Sequence, residues 1–317
     1  MRQTPLAEQC ADRVGRGRLA RADRAVEQQD PRRDPSRGRA RGGHGGSLRT
    51  GASPQEQDRP VQRSLSSYAA IGDSFAEGMG DERPDGTPRG WADLVAQGIA
   101  AAAAGPVTYA NLAIRGRLLA PLLDEQLEPA IALRPDLLSI SGGNNDLIRA
   151  RVSVAAVTAR LEAAIDRAVA SGTEVVFVTV ANMTRNLPAG RLVEGRGNQF
   201  ASAIRQWASK DHVTVVDNWS DEELMEPRYW SPDKLHLNAL GHRRVAGNVL
   251  AALEVPLPPF PEELPPEVVR QSRAAYWREH VLPWIGRRLT GRSSGDGREP
   301  KRATLQPVDL PWSSRTP

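Results

Sequence analysis

The sequence predicts a doubly wound α/β domain, a parallel sheet covered by helices on both faces, and three observations carry that prediction. Short apolar runs alternate with longer stretches of helical periodicity from Ser67 to Leu253. Five of those runs are apolar through their length instead of alternating, as strands buried on both faces must be. A helical stretch separates each run from the next, which is the crossover that parallel neighbours need.

The elements follow in order. "SYAAIG" (67–72) reads as the first strand, and "WADLVAQGIAAAAA" (91–104) as an amphipathic, alanine-rich helix. "VTYANLA" (107–113) is the second strand, with a helical stretch near Leu118 to Leu127 after it. "DLLSISGG" (136–143) is the third and ends in glycines. Apolar residues then recur at Val154, Val157, Leu161 and Ile165, a helix over about Val154–Ala170 that closes on the stop signal Ser171-Gly172. "EVVFVTVA" (174–181) is the most strongly β-branched run and the fourth strand. A helix around Asn198–Ser209 leads to the fifth strand, "VTVVDN" (213–218), and "NALGHRRVAGNVLAAL" (238–253) is the last helix of the core.

The core does not fill the chain of 317 residues. Residues 1–64 hold 14 Arg, no Lys and 8 acidic residues, a net of +6; the whole chain stands at +4, which leaves −2 for residues 65–317. The basic balance therefore belongs to an extension with hardly any apolar periodicity, too polar to offset its conformational entropy. It reads as a disordered arm, or as sequence upstream of the true start, in preference to a nucleic-acid-binding arm. Beyond the domain at 65–254, residues 255–317 read as a proline-rich strap (255–269), a helix at 267–285 anchored by Tyr276, Trp277 and Trp284, and a mobile basic tail after Gly286. The single cysteine, Cys10, permits no intramolecular disulfide, and no apolar run approaches a membrane span, so a cytoplasmic protein is expected. Its oligomeric state is left open.

In open parallel sheets the reactive groups gather at the carboxyl ends of the strands. Ser74, in "GDSF", lies just past the glycine that ends the first strand. Gly116, in "NLAIRGR", follows the second and lets a backbone N–H approach a ligand without a side chain in the way. Asn145, in "SGGNNDL", follows the third and offers a neutral amide donor suited to a developing oxyanion. His236, in "SPDKLHLNALGH", follows the fifth, three residues beyond Asp233, a carboxylate able to fix the tautomer of the ring. The other histidines fall in the arm (His44), before a strand (His212), inside a helix (His242) or in the C-terminal appendage (His280).

Each piece alone is also common turn composition. Asp73 and Asp146 read as loop supports through backbone N–H groups, and Arg115 and Arg117 as solvated surface arginines. A zinc motif, a Gly-rich dinucleotide fingerprint, a phosphate-binding loop and the Gly-x-Ser-x-Gly nucleophile elbow are all missing, so no metal or cofactor is expected.

Taken together and in this order, the four blocks resemble those of the SGNH hydrolases, also called the GDSL esterase/lipase family. The resemblance covers about Ser66 to Leu253, and Phe75 stands where the name-giving motif has leucine. It implies a flavodoxin-like three-layer α/β/α sandwich with a five-stranded parallel sheet, and hydrolysis of small-molecule esters without metal or cofactor. It further implies Ser74, Asp233 and His236 as the catalytic residues, and an oxyanion hole from the N–H groups of Ser74 and Gly116 and the side chain of Asn145. An acyltransferase on the same site and a binding protein with a vestigial site and an Arg-rich arm are the alternatives.

Overall fold

In a computed structural model, which describes residues 65–186, 190–260, 278, 282 and 293–310, the first strand begins where the Arg-rich extension ends. The extension, the helix expected at 267–285, apart from the isolated residues 278 and 282, and most of the strap lie outside the described residues. The sheet is built from β1 (Ser67–Gly72), β2 (Thr108–Asn111), β3 (Leu137–Ser141), β4 (Glu174–Val178), β5 (Val213–Val216) and β6 (Arg302–Pro307). Its order is β5-β4-β3-β1-β2-β6, with every pairing parallel except that of β2 with β6. The five parallel strands thus have the flavodoxin-like order, and the direction of winding reverses at β1, between β2 and β3.

Around the sheet lie α1 (Ser74–Glu77), α2 (Gly90–Ala102), α3 (Leu119–Leu122), α4 (Glu128–Ala132), α5 (Asn144–Leu147), α6 (Val154–Val169), α7 (Arg191–Ile204) and α8 (Ala239–Ala252). Side chains that alternate along each strand feed two separate cores. Tyr68, Ala70, Val176 and Val178 pack under α2 and α8, whereas Ala69, Ile71, Leu138, Ile140 and Phe177 pack under α3, α4, α6 and α7. This is the predicted three-layer sandwich.

Three features differ from the expectation. The sheet has a sixth strand: Arg302–Pro307, expected in a mobile basic tail, pair antiparallel with β2. The reason lies in that edge, since β2 would otherwise leave its N–H and C=O groups unpaired. Helix α7 begins at Arg191, earlier than the helix expected around Asn198–Ser209. Its glycines mislead, because Gly197 packs flat on Trp219, where a Cβ would come within 2.0 Å of the indole. Finally, α3 and α4 are joined by a π-helical turn, Leu123–Leu127, into one longer helical segment than periodicity indicated.

Candidate active site

Strand β1 stops at Gly72 because α1 turns back over its end. A Cβ at Gly72 would lie 2.6 Å from both the Ala76 Cβ and the Ser141 carbonyl. Asp73 caps the new helix, its Oδ1 accepting from Phe75 N at 3.0 Å. Buried and near Asp146 and Glu77, the Asp73 carboxyl is pushed up to about 6, chiefly by burial. Gly78 ends the helix in a left-handed conformation at φ 99°, and Ser74 is left at the mouth of the turn.

The chain beyond the fifth strand brings His236 and Asp233 to Ser74. Asp233 organises a tight turn in which its Oδ1 accepts from the N–H groups of Leu235 and His236, each at 3.0 Å. Its Oδ2 is 2.6 Å from His236 Nδ1, and His236 Nε2 is 3.1 Å from Ser74 Oγ. Three residues of separation is what one carboxylate needs to hold both backbone and ring of the same histidine. Burial raises the Asp233 pKa, but the hydrogen bonds and charge of His236 outweigh it, so the carboxyl stays below its usual range and ionised. An ionised Asp233 fixes the proton on Nδ1 and turns the lone pair of Nε2 toward the serine hydroxyl.

Asn145 lies on α5, at the end of the neighbouring strand β3. Its Nδ2 donates to Asp73 Oδ2 at 3.2 Å and to the Arg117 carbonyl at 3.0 Å. Ser74, Asn145 and His236 line one cleft of about 50 Å³, walled by Phe75, Met79, Ile148, Met183, Trp230 and Leu235. Gly116 does not line it. It sits in the loop after β2 at φ 74°, with its Cα facing Ser293 and Ser294. Neither its N–H nor that of Ser74 has a hydrogen-bond partner among the described residues.

The two arginines beside Gly116 are not solvated. Arg115 clamps Glu77 through its backbone N–H and guanidinium, and Arg117 pairs with Glu125 at 2.8 Å. Asp73 and Asp146 do hold backbone N–H groups, the latter that of Leu119 at 2.8 Å. His242 is fully buried; its Nδ1 accepts from Trp91 N, and its Nε2 donates to the Met79 carbonyl. Burial drives its pKa down to about 4, so the ring is neutral.

Further supports carry no motif. Gln126, in the π-helical turn, bonds both the N–H (2.8 Å) and the carbonyl (3.0 Å) of Gly72. Asn111 donates to the Ala76 carbonyl at 2.9 Å. For Gln126 the signal available to the sequence was one polar residue on an otherwise apolar helix face. Among the described residues no group of three or more His, Cys, Asp or Glu could hold a metal ion, and no helix is long and apolar enough to cross a membrane.

Ser74, His236 and Asp233 are thus in contact beside the winding reversal of a flavodoxin-like sheet, the place where open α/β sheets bind their ligands. Residues 70–244 match the model of the GDSL-like lipase/acylhydrolase family, and the chain belongs to that family. It is an SGNH-type hydrolase of carboxylic esters. Similar solved structures include the lipase Lip_vut3 from a goat rumen metagenome, 18% identical over 61% of this chain and 99% of that chain, with a TM-score of 0.51. TesA is 22% identical over 59% of this chain and 98% of its own, at a TM-score of 0.49. Axe2, an acetylxylan esterase from Geobacillus stearothermophilus, is 19% identical over 62% and 97%, at 0.49. At such identities the likeness to the lipase concerns the fold. No curated protein matches the chain.

Proposed function

We propose that the chain cleaves a small neutral ester through an acyl-enzyme on Ser74. The observation that supports this most strongly is the continuous run of contacts from Ser74 Oγ through both ring nitrogens of His236 to Asp233 Oδ2. His236 Nε2 takes the Ser74 proton as Oγ attacks the acyl carbon, and Asp233 stabilises the imidazolium. The imidazolium then returns the proton to the leaving alcohol. Water, deprotonated by the same nitrogen, attacks the acyl-enzyme; the carboxylic acid leaves and Ser74 recovers its proton.

The oxyanion of each tetrahedral intermediate is held by the N–H of Ser74 and by Asn145 Nδ2, with the N–H of Gly116 completing the set from the adjoining loop, which Asn145 ties to the cleft through the Arg117 carbonyl. To serve it, Asn145 releases the longer of its two bonds, the one to Asp73 at 3.2 Å.

The cleft supports a short, uncharged acyl group. Its wall is largely apolar and contains no Lys or Arg. At about 50 Å³ it has room for about four water-sized positions. A series of nitrophenyl esters from acetyl to dodecanoyl tests this, with the optimum expected at acetyl to butyryl. Ser74→Ala should abolish turnover of all of them, and wild-type rates in that variant would overturn the assignment.

A further inference from the structure

Residues 70–244 carry the family match, yet the groups that lock the turn bearing Ser74 do not all come from them. Lys301 immediately precedes β6, and the pairing of Arg302 with Asn111 sets it at the carboxyl end of β2. From there its Nζ reaches the carbonyl of Glu77, the last residue of α1, at 2.7 Å. The same ammonium donates to the carbonyls of Arg89 at 2.6 Å and Pro88 at 3.1 Å, and pairs with Asp93 Oδ1 at 3.0 Å.

An ammonium has only three donors, so all are committed to these acceptors. Its side chain is only 15% exposed. A buried amine directed at three backbone carbonyls is an expensive construction unless those carbonyls must be held. The segment leading to Lys301 also lies against the Gly116 loop: a Cβ on Gly295 would meet the Arg115 carbonyl at 2.1 Å, and Asp296 lies 3.9 Å from Arg117.

We propose that Lys301 is a positioning residue for the reaction at Ser74, which makes the C-terminal segment from Ser293 to Pro307 part of the catalytic apparatus of this chain. The mechanism is geometric. Lys301 ties the C-terminal end of the nucleophile helix to the segment that starts α2. With α1 only four residues long, a displacement at Glu77 reaches Ser74 within one turn. The inference rests on Ser74 as the nucleophile.

The test replaces Lys301 by methionine, which keeps the length and removes the donors. Asp93 keeps Arg83, 3.2 Å away, as a partner. In the full-length protein Lys301→Met is expected to lower kcat on a short nitrophenyl ester about 10- to 10²-fold, the scale of an ångström misplacement. KM should stay within about twofold of wild type, because no group lining the cleft changes, and labelling of Ser74 by a fluorophosphonate should slow in parallel.

If the single variant unfolds, the double variant Lys301→Met/Asp93→Asn removes both members of the buried ion pair and is read in the same way. Expected is a folded protein, by melting curve and near-ultraviolet circular dichroism, that remains slow. A folded variant with kcat and labelling within twofold of wild type would overturn the inference. Wild type that is not labelled at Ser74 would overturn the reading beneath it, which is a distinct result.

Discussion

Both amide hydrogens of Asn145 are engaged before any substrate arrives, by Asp73 and by the Arg117 carbonyl. An oxyanion must compete with the weaker of these. Removing one oxyanion donor costs on the order of 10²–10³ in turnover, so Asn145→Ala is expected to reduce kcat by about that factor while leaving some activity, measured by steady-state kinetics. Asp233→Asn keeps an oxygen for the N–H groups of Leu235 and His236 but lets the ring adopt the wrong tautomer. A loss on the order of 10⁴ in kcat is expected, as for the same change in other Ser-His-Asp sites. At this scale the sequence is informative where chemistry is local. Asp-x-x-His encodes its own turn, and Gly-Asp-Ser its own helix cap. Gln126 and Lys301 act across 54 and 224 residues of chain, and nothing beside them in the sequence marks their targets.

The turn bearing Ser74 is an element held by close backbone approach. A Cβ on Gly78, at φ 99°, would lie 2.5 Å from the Arg89 carbonyl, whereas Gly86, at φ 81°, has nothing within 4 Å. The pair separates strain from overlap. Gly86→Ala should cost about 1–2 kcal/mol for the left-handed conformation alone, and Gly78→Ala should add about 1–3 kcal/mol of overlap. Urea denaturation checks both, with midpoints falling in that order at unchanged slope. Elements were legible where apolar periodicity is set by the core, as in α6 and β4. They were obscured where another force decides: α7 carries Gly197 to admit Trp219, and β6 exists because an open edge of β2 recruits it, although its residues are mostly exposed and carry no apolar signal.

For the whole molecule, two buried groups set opposing responses to acid. His242 takes its proton at about 4 in the folded protein, below its unfolded value of 6.5. As pH falls through that window the unfolded chain binds a proton the fold refuses, so stability is lost. Asp73 takes its proton at about 6 when folded and at 3.8 when unfolded. As pH falls through 6 the fold binds first, so stability is gained. Between pH 7 and 5 these amount to about 2 kcal/mol lost and about 1 kcal/mol gained. His242→Gln should therefore make the protein less acid-sensitive than wild type and Asp73→Asn more so, by a few degrees in the pH 5 minus pH 7 difference in Tm. The three-layer architecture was legible at this scale because five apolar strands leave few alternatives. These two titrations were not, since they depend on burial that no single segment encodes.

On the proposed mechanism Ser74 carries the acyl group between the two steps. Quenching the wild-type protein during turnover of a 4-nitrophenyl butyrate substrate and mapping the adduct by peptide mass spectrometry locates that group. A butyryl group on the peptide containing Ser74, absent in Ser74→Ala, is predicted. Butyryl on another residue, or undiminished turnover in Ser74→Ala, would contradict it.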